Sequence, residues 1–484
     1  MTSPETPNLL ILMSDEHSRK ALGCYGNPLL KTPNLDRLAA RGTLFSNAYT
    51  PCPICVPARA AFATGQYGHA SGHWDNATPY IGEPKSWGHA LQQAGVTVGS
   101  IGKLHYRNAE DDTGFDFQQL PMHLVGGVGD VLGCVREPLP VRWKTRTMAE
   151  KIGPGETSYT AYDRSITEAA TSWISDQSAA ENDKPWALFV SMVAPHFPLI
   201  APEEFYELYE AAGTMPSKLA DDPDHPWLVA FRKCYPYDNF TDETTRIALA
   251  SYFGLVSFLD NNVGKILDSL DAAGLTDNTR ILYVSDHGDN MGERGLWGKS
   301  TLYEESAGIP MIAAGPGIPS GRVSATPVSL VDVYPTVIDA MGLVPDGTDR
   351  PGRSLLEIAN KPDDPERVVY TEYHAAGASG GAFMVRRGQW KLCYYIDMPP
   401  QLFDLAADPE ELRDLGKSPD YADIRASLEA DLRAICDPEE VDRCAHRDQA
   451  AIIAANGGRE KVVERGGFGA TPAPGEAPQF TASG

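Results

Sequence analysis

Apolar runs of strand length alternate with stretches of helical periodicity over about the first 345 residues. Residues 8–13, 186–193 and 281–284 are almost entirely apolar, which is typical of strands buried on both faces of a parallel sheet. Residues 245–273 carry apolar side chains at helical spacing, and Thr32-Pro33 marks the start of another helix, with Thr32 as its cap. The alternation predicts an α/β fold in which helices sandwich a large, mostly parallel sheet.

The pattern changes after about residue 362. Three short runs with strand character follow one another, and a Gly-Gln pair between the second and third indicates a hairpin turn. The runs are residues 368–373, 382–387 and 390–395, and a charged helix is predicted over residues 420–435. We therefore predict three units: a catalytic α/β domain (1–360), a small C-terminal antiparallel sheet plus helix (361–436) and a C-terminal tail that could form oligomers (437–484).

The charge balance restricts the partners of the chain. Its 484 residues carry a formal net charge of −24, which argues against nucleic acid, because phosphate contacts need clustered Lys and Arg. No apolar run approaches the roughly 20 residues that span a bilayer, and residues 9–13 are too few for the apolar part of a secretory signal. We therefore expect a cytoplasmic protein without membrane contact. Any anion site in it must be made locally positive by a metal and a few basic side chains.

The eight cysteines are scattered over the chain and do not form a disulfide framework. The one close pair is Cys52-Pro53-Ile54-Cys55. Such a pair can be half of a zinc site or a redox pair. No second close pair is present to complete a zinc site, so both interpretations are less favoured than the one that follows.

Polar residues follow the apolar runs at several places, and parallel strands bring such positions to one edge of a sheet. Taken singly, an Asp after a strand is more often a turn or cap, and a lone His is more often a packing residue. Several such clusters in matching positions instead predict one shared site. Its candidate members are Asp15, Glu16, Cys55, Arg59, Lys103, His105, His196, Asp286 and His287, with Lys299 in a loop shortly afterwards.

The candidate residues fall into two chemical groups. Asp15, Glu16, Asp286 and His287 suit a hard divalent ion such as Ca²⁺, Mg²⁺ or Mn²⁺. The basic group suits a tetrahedral anion, and its members are Arg59, Lys103, His105, His196 and Lys299. A metal beside a ring of basic groups is what a displacement at phosphorus or sulfur requires.

The run from Cys55 to Gly65, Cys-Val-Pro-Ala-Arg followed by Thr-Gly, resembles the signature of the sulfatase family. Further segments resemble that family, and the similarity extends over most of the chain. They are residues 32–39, Gly102-Lys103-Leu104-His105, Pro195-His196-Phe197-Pro198, Ser285-Asp286-His287-Gly288, the Lys299 region and residues 402–411. The resemblance implies an alkaline-phosphatase-like fold and a sulfuric ester hydrolase that cleaves a small organic sulfate ester.

The resemblance also implies the role of each residue. A dedicated formylglycine-generating enzyme would oxidise Cys55 to formylglycine, whose hydrate attacks sulfur with one hydroxyl and expels sulfate with the help of the other. Arg59 would fix the formylglycine, and either His196 or Lys299 could protonate the leaving oxygen. The implied ligands of one divalent ion are Asp15, Glu16, the modified Cys55, Asp286 and His287. The implied sulfate-binding residues are Lys103, His105, His196 and Lys299.

Two positions depart from the common sulfatase pattern. Many sulfatases have Asp where this chain has Glu16, and Asn where it has His287. The Asp-His pair is similar to the branch of choline sulfatases and phosphonate monoester hydrolases, so a phosphonate monoester or phosphodiester hydrolase is the alternative function. Lys103 and His105 favour sulfate, because phosphonate monoester hydrolases generally lack them. A non-catalytic relative is the third hypothesis, and the intact set of basic residues argues against it.

Two further expectations follow from the resemblance. Among divalent ions we expect Ca²⁺, with Mg²⁺ or Mn²⁺ as alternatives. The tail over residues 437–480 is similar in placement to the extension through which choline sulfatases associate, so we expect a homo-oligomer.

Overall fold

The computed structural model describes residues 6–179 and 184–481. The ends of the predicted first domain and of the predicted tail, residues 1–5 and 482–484, lie outside this range. The strands are β1 (Asn8–Asp15), β2 (Gly42–Phe45), β3 (Ala48–Tyr49), β4 (Thr97–Lys103), β5 (Phe117–Met122), β6 (Ile152–Pro154), β7 (Trp186–Pro195), β8 (Leu199–Ala201), β9 (Thr279–Ser285), β10 (Met311–Ala314), β11 (Arg322–Ser324), β12 (Val328–Ser329), β13 (Val369–Tyr373), β14 (Ala382–Arg387), β15 (Trp390–Tyr395) and β16 (Met398–Asp404).

The helices lie between these strands and after them. They are α1 (Pro33–Ala40), α2 (Cys55–Thr64), α3 (Gly68–Ser71), α4 (Trp87–Gln93), α5 (Ser158–Ala179), α6 (Glu203–Glu210), α7 (Pro226–Cys234), α8 (Asp242–Ala272), α9 (Glu304–Ala307), α10 (Val333–Ala340), α11 (Leu355–Ala359), α12 (Ala422–Ile435), α13 (Pro438–Ala455) and α14 (Arg459–Arg465). Among the described residues, no helix combines the length and the apolar character that a membrane crossing needs.

The large sheet has the strand order β11-β2-β10-β9-β1-β7-β4-β5. The pairs in its centre, β9 with β1, β1 with β7 and β7 with β4, are all parallel, and β10 runs antiparallel to both of its neighbours. The predicted mostly parallel sheet is therefore confirmed.

Alternate residues of β1 show why this run of apolar side chains forms a central strand. Leu9, Ile11 and Met13 pack in one core cluster with α2, α4 and α10, while Leu10 and Leu12 pack in another with α1, α5 and α8. Side chains alternate between the two faces of a strand. A strand with helices on both faces must therefore be apolar where it is covered, as β1 is from Leu9 to Met13.

The small sheet is antiparallel in the order β13-β14-β15-β16, and α12 packs on it through Leu428 and Leu432. This agrees with the predicted C-terminal sheet and helix, while the boundaries of the three predicted units stay a prediction. After α12 the chain continues as two helices, α13 and α14, which the sequence pattern did not predict. The extended segment 467–481 follows them.

Thr32 stands at the N-cap position of α1 as predicted, but its hydroxyl does not cap the helix and instead accepts the Gly23 N–H and donates to Asp36. The Asp260 carboxylate of α8 instead accepts the N–H groups of Asn34 and Leu35 at 3.2 and 2.8 Å. The start of α1 is thus satisfied from a helix more than 200 residues away, which local sequence cannot show.

A buried network of charges joins the small sheet to the large one. The Glu304 carboxylate of α9 accepts hydrogen bonds from Arg19, from the Tyr49 hydroxyl and from Lys391 of β15, the last at 2.9 Å. Lys391 also lies 2.7 Å from Glu411. Burial opposes the charge of Lys391, but Glu304 and Glu411 outweigh burial and raise the pKa of its ammonium group.

We expect Lys391→Met to lower the free energy of unfolding by about 3–5 kcal/mol, because it leaves buried carboxylates without their cation. The matched control is Lys361→Met, which removes an exposed pair with Glu357 and should cost about 0–1 kcal/mol. Urea unfolding followed by circular dichroism measures both. Equal effects of the two substitutions would contradict this account of the interface.

Candidate active site

The carboxyl ends of four adjacent strands, β9, β1, β7 and β4, meet at one edge of the large sheet. Each end carries a polar residue of the predicted site: Asp286 after β9, Asp15 on β1, His196 after β7 and Lys103 on β4. Ligand sites of open α/β sheets lie at this edge. The structure thus brings the predicted residues together, although they are spread over most of the chain.

Cys55 is the first residue of α2 and is 1% exposed. Its Sγ lies 3.1 Å from Nε2 of His287, 3.2 Å from Nζ of Lys299 and 3.6 Å from Oδ1 of Asp15. Burial, reinforced by the Asp15 carboxylate, raises the pKa of the Cys55 thiol to about 12. The unmodified thiol is therefore neutral at pH 7 and a poor nucleophile, because the thiolate is the reactive form.

The Cys55 thiol and three buried side chains around it form a group of four that can hold a metal ion. Their ligand atoms lie within 4.8 Å of one another, and they are Asp15, Cys55, Asp286 and His287. Glu16 is nearby and belongs to a second such group with Asp15 and His196. Its Oε1 is buried and has no hydrogen-bond partner among the described residues. Carboxylate oxygens with one imidazole fit a hard divalent cation, and the orphaned oxygen of Glu16 adds a free ligand atom.

Arg59 holds this group of ligands together. Its guanidinium donates to Oδ2 of Asp286 at 2.8 Å and to Oδ2 of Asp15 at 3.0 Å. It also donates to the Ser191 hydroxyl at 2.9 Å and to the Lys103 carbonyl at 2.8 Å. One side chain therefore fixes the spacing of two carboxylates that would otherwise repel each other.

The remaining basic side chains of the site lie against its carboxylates. Nζ of Lys103 lies 2.5 Å from Oδ2 of Asp15, and Nζ of Lys299 lies 3.0 Å from Oε2 of Glu16. Nε2 of His196 lies 3.2 Å from the same Glu16 oxygen. Burial opposes the charge of Lys299, but the negative charges that Cys55, Glu16 and Asp15 carry when ionised outweigh burial, so the pKa of Lys299 lies well above its ordinary value. Lys299 thus keeps its positive charge inside the site.

Burial lowers the pKa of His105 well below its ordinary value, and the charge of Lys103 adds to this effect. Burial also lowers the pKa of His196, so both imidazoles are neutral at pH 7. At Glu16 burial dominates over Lys299 and raises the pKa of the carboxyl group to about 8.

Backbone strain is concentrated around the site. Glu16, His105 and Ser300 have positive φ angles of 67°, 58° and 81°, a conformation that side-chain-bearing residues rarely adopt. Such strain persists where the surrounding structure overdetermines the backbone, which is common at functional sites.

Two acidic residues near the site were not found by sequence reasoning. The Asp163 carboxylate of α5 accepts the N–H groups of Val193 and Ala194 at 2.7 and 2.8 Å and so fixes the turn that carries His196. Asp289 is buried near Glu16 and contributes to the raised pKa of that residue. Its position within Asp-His-Gly-Asp was a signal for it, whereas nothing in the local sequence points to Asp163.

Comparisons with known proteins agree with this geometry. The sulfatase family model matches residues 7–343, and a model described as N-sulphoglucosamine sulphohydrolase, C-terminal, matches residues 292–437. Choline-sulfatase of Rhizobium meliloti (strain 1021) is 34% identical over 463 residues, which covers 92% of this chain and 90% of that protein. Arylsulfatase K of Danio rerio is 29% identical over 470 residues, with 92% and 87% covered.

Solved structures show the same fold. The phosphonate monoester hydrolase of Agrobacterium radiobacter is similar with a TM-score of 0.72 and 22% identity, and the match covers 89% of this chain and 95% of that one. A protein solved in complex with its substrate D-glucosamine-2-N,6-O-disulfate also has a TM-score of 0.72, with 23% identity and 92% and 98% covered.

We expect the carboxylate cluster to bind a divalent ion and to be stabilised by it. Ca²⁺ at 100 times its dissociation constant should add about 2.7 kcal/mol to the stability of chelator-treated protein. Thermal unfolding with Ca²⁺, Mg²⁺ and Mn²⁺ measures this gain. Asp286→Asn should remove most of it, and the exposed Asp268→Asn should not. A wild-type protein that none of the three ions stabilises would contradict the prediction.

Proposed function

The chain belongs to the sulfatase family, in the alkaline phosphatase superfamily, and is a sulfuric ester hydrolase; we propose that it cleaves a small organic sulfate monoester through a formylglycine made from Cys55 and one divalent ion. The observation that carries this proposal is the position of Cys55. Its Sγ lies 3.6 Å from the Asp15 carboxylate, 3.1 Å from His287 and 3.2 Å from the Lys299 ammonium group. A nucleophile placed there adjoins both the candidate metal ligands and a cation that can bind an anion.

Modification of Cys55 resolves the contradiction between its central position and its poor reactivity as a thiol. A formylglycine supplies, as its hydrate, one hydroxyl for attack on sulfur and a second for release of the product. The groups next to Cys55 suit such hydroxyls, because the Asp15 carboxylate can accept a hydrogen bond and Lys299 can donate one. His287 at 3.1 Å can take or give a proton.

We assign the other residues by their charges and contacts. Asp15, Asp286, His287 and the modified Cys55 hold the ion, with Glu16 as a further ligand. Arg59 fixes Asp15 and Asp286, in addition to its predicted contact with the formylglycine. Lys103, His105, His196 and Lys299 bind the sulfate group. Lys299 and His196 both remain candidates for the proton donor to the leaving oxygen.

This arrangement gives an acidic chain a local affinity for an anion. The net charge of −24 repels a sulfate ester at long range. Lysine side chains and a divalent ion inside a buried site act at short range and in a low dielectric, where their attraction is stronger. Binding therefore depends on the site and not on the overall field.

Other predicted features stay proposals. They are Ca²⁺ as the ion, maturation by a formylglycine-generating enzyme, association into a homo-oligomer and a cytoplasmic location.

The mass of the peptide that contains Cys55 tests the nucleophile. Conversion of the cysteine to an aldehyde should lower this mass by about 18 Da, and the shift should be absent in Cys55→Ala, which should have no sulfatase activity. The enzyme should come from a host that contains a formylglycine-generating enzyme. An active enzyme whose Cys55 is entirely an unmodified thiol would contradict the proposal.

Relative rates on matched esters test the choice between sulfate and phosphorus substrates. We expect kcat/KM for 4-nitrophenyl sulfate to exceed that for 4-nitrophenyl phenylphosphonate, because Lys103 and His105 are both directed into the site. The reverse order would favour the phosphonate monoester hydrolase alternative.

Removal of one sulfate-binding cation tests the assignment of residues. We expect Lys299→Met to lower kcat by about 10²–10³-fold, the usual cost of losing one group that stabilises developing charge. The control Lys31→Met changes an exposed lysine that is not among the candidate site residues and should leave kcat unchanged. Similar kinetics in both variants would rule out the assigned role of Lys299.

A further inference from the structure

The C-terminal segment 467–481 lies over the mouth of the active site. The backbones of Gly467 and Thr481 pair with each other at 2.8 and 3.1 Å, and the rings of Phe468 and Phe480 meet edge to face with centroids 5.6 Å apart. The segment is therefore a closed loop whose two ends are held together.

Thr471 connects this loop to the catalytic residues. Its Oγ1 lies 2.7 Å from Nε2 of His105, and its carbonyl accepts a hydrogen bond from the Tyr159 hydroxyl. The other ring nitrogen of His105, Nδ1, is buried and has no partner among the described residues. The loop thus occupies one nitrogen of a proposed sulfate-binding histidine.

The same segment separates two cavities. The inner cavity, of about 40 Å³, is lined on one side by Cys55, His105, His196 and Lys299 and on the other by residues 468–471. The outer cavity, of about 570 Å³, is also lined by residues 468–471, and faces Tyr159 and Phe197. Residues 468–471 are therefore the wall between the nucleophile and a much larger space.

The size of the inner cavity excludes a substrate. One water molecule needs roughly 10–15 Å³ of such space, so the inner cavity holds about three. Sites for small organic ligands usually measure about 300–1,000 Å³. A sulfate ester cannot reach Cys55 with its alcohol half attached while residues 468–471 keep this position.

We propose that residues 467–481 are a lid that closes the sulfate site in the free enzyme and withdraws when an ester binds, with Thr471 holding the closed state through His105. Withdrawal joins the two cavities, and the alcohol half of the ester occupies the space that the lid has left. This inference rests on the sulfate-ester hydrolase activity proposed above and adds the control of access to it.

Glycine residues make the backbone flexible in conformation where the lid begins. Gly466 and Gly469 have φ angles of 74° and 81°, which glycine adopts without the steric cost that other residues meet. With Gly467 between them, three of four successive residues at the exit from α14 lack a side chain. This composition suits a segment that changes its backbone angles between two positions.

Weakening the closed state should make the enzyme bind substrate more tightly. Thr471→Val keeps the shape of the side chain and removes its hydroxyl, so the closed lid loses one hydrogen bond. We expect KM for 4-nitrophenyl sulfate to fall about three- to tenfold, because a larger fraction of the enzyme is open, with little change in kcat. Tyr159→Phe, which removes the second hydrogen bond to Thr471, should act in the same direction.

The matched control is Thr481→Val, the same change on the same segment at the exposed end of the loop, and it should leave KM unchanged. A KM that is unchanged or raised in Thr471→Val would overturn the lid. Hydrolysis of the sulfate ester by the wild-type enzyme tests the proposed function separately. If the wild-type enzyme does not hydrolyse the ester, the proposed function is wrong; if it does and KM does not fall in Thr471→Val, only the lid is wrong.

Amide hydrogen exchange tests the motion without turnover. In Cys55→Ala with saturating 4-nitrophenyl sulfate, peptides within residues 467–481 should exchange at least several-fold faster than in the free protein. Peptides that contain His105 and His196 report whether the ester is bound. The proposal is wrong if the ester slows exchange in the His105 and His196 peptides while exchange in residues 467–481 is unchanged or slower. That result would show that the segment stays closed when the ester is bound.

Discussion

A single buried guanidinium holds the ends of four neighbouring strands at one point. Arg59 reaches Asp15 on β1, Asp286 after β9, Ser191 on β7 and the Lys103 carbonyl on β4. Two carboxylates that face each other away from water repel strongly, and a cation with several donors in fixed directions can hold both. The positions of the proposed nucleophile, metal ligands and sulfate-binding cations all depend on this arrangement.

The sequence predicts those parts of the structure in which the pattern of a single segment determines whether its residues are buried or exposed. The apolar runs of β1, β7 and β9 predict buried strands, because a strand covered on both faces needs apolar side chains at every position. Polar residues directly after those strands then had to share one edge. The candidate site follows from this rule together with the motif around Cys55, and the structure brings all ten candidate residues close to one another.

The parts that could not be predicted depend on pairing between distant segments. Asp163 and Asp260 act as caps for backbone groups that belong to other elements, and no local pattern marks an acidic residue in a helix for such a task. The antiparallel direction of β10 depends on its neighbours in the sheet. The contact of Thr471 with His105 joins residues 366 positions apart, and the charged composition after residue 437 gives little indication of the helices α13 and α14.

The burial of Cys55 has a consequence for how the protein is made. The side chains that enclose its thiol, His287 and Lys299, lie 232 and 244 positions further along the chain. During synthesis from the N-terminus, Cys55 therefore emerges long before the residues that cover it, and the segment 467–481 emerges later still. If Cys55 is modified as proposed, the modifying enzyme would have its opportunity in that interval, and the order of synthesis would separate the maturation of the residue from the closure of the site around it.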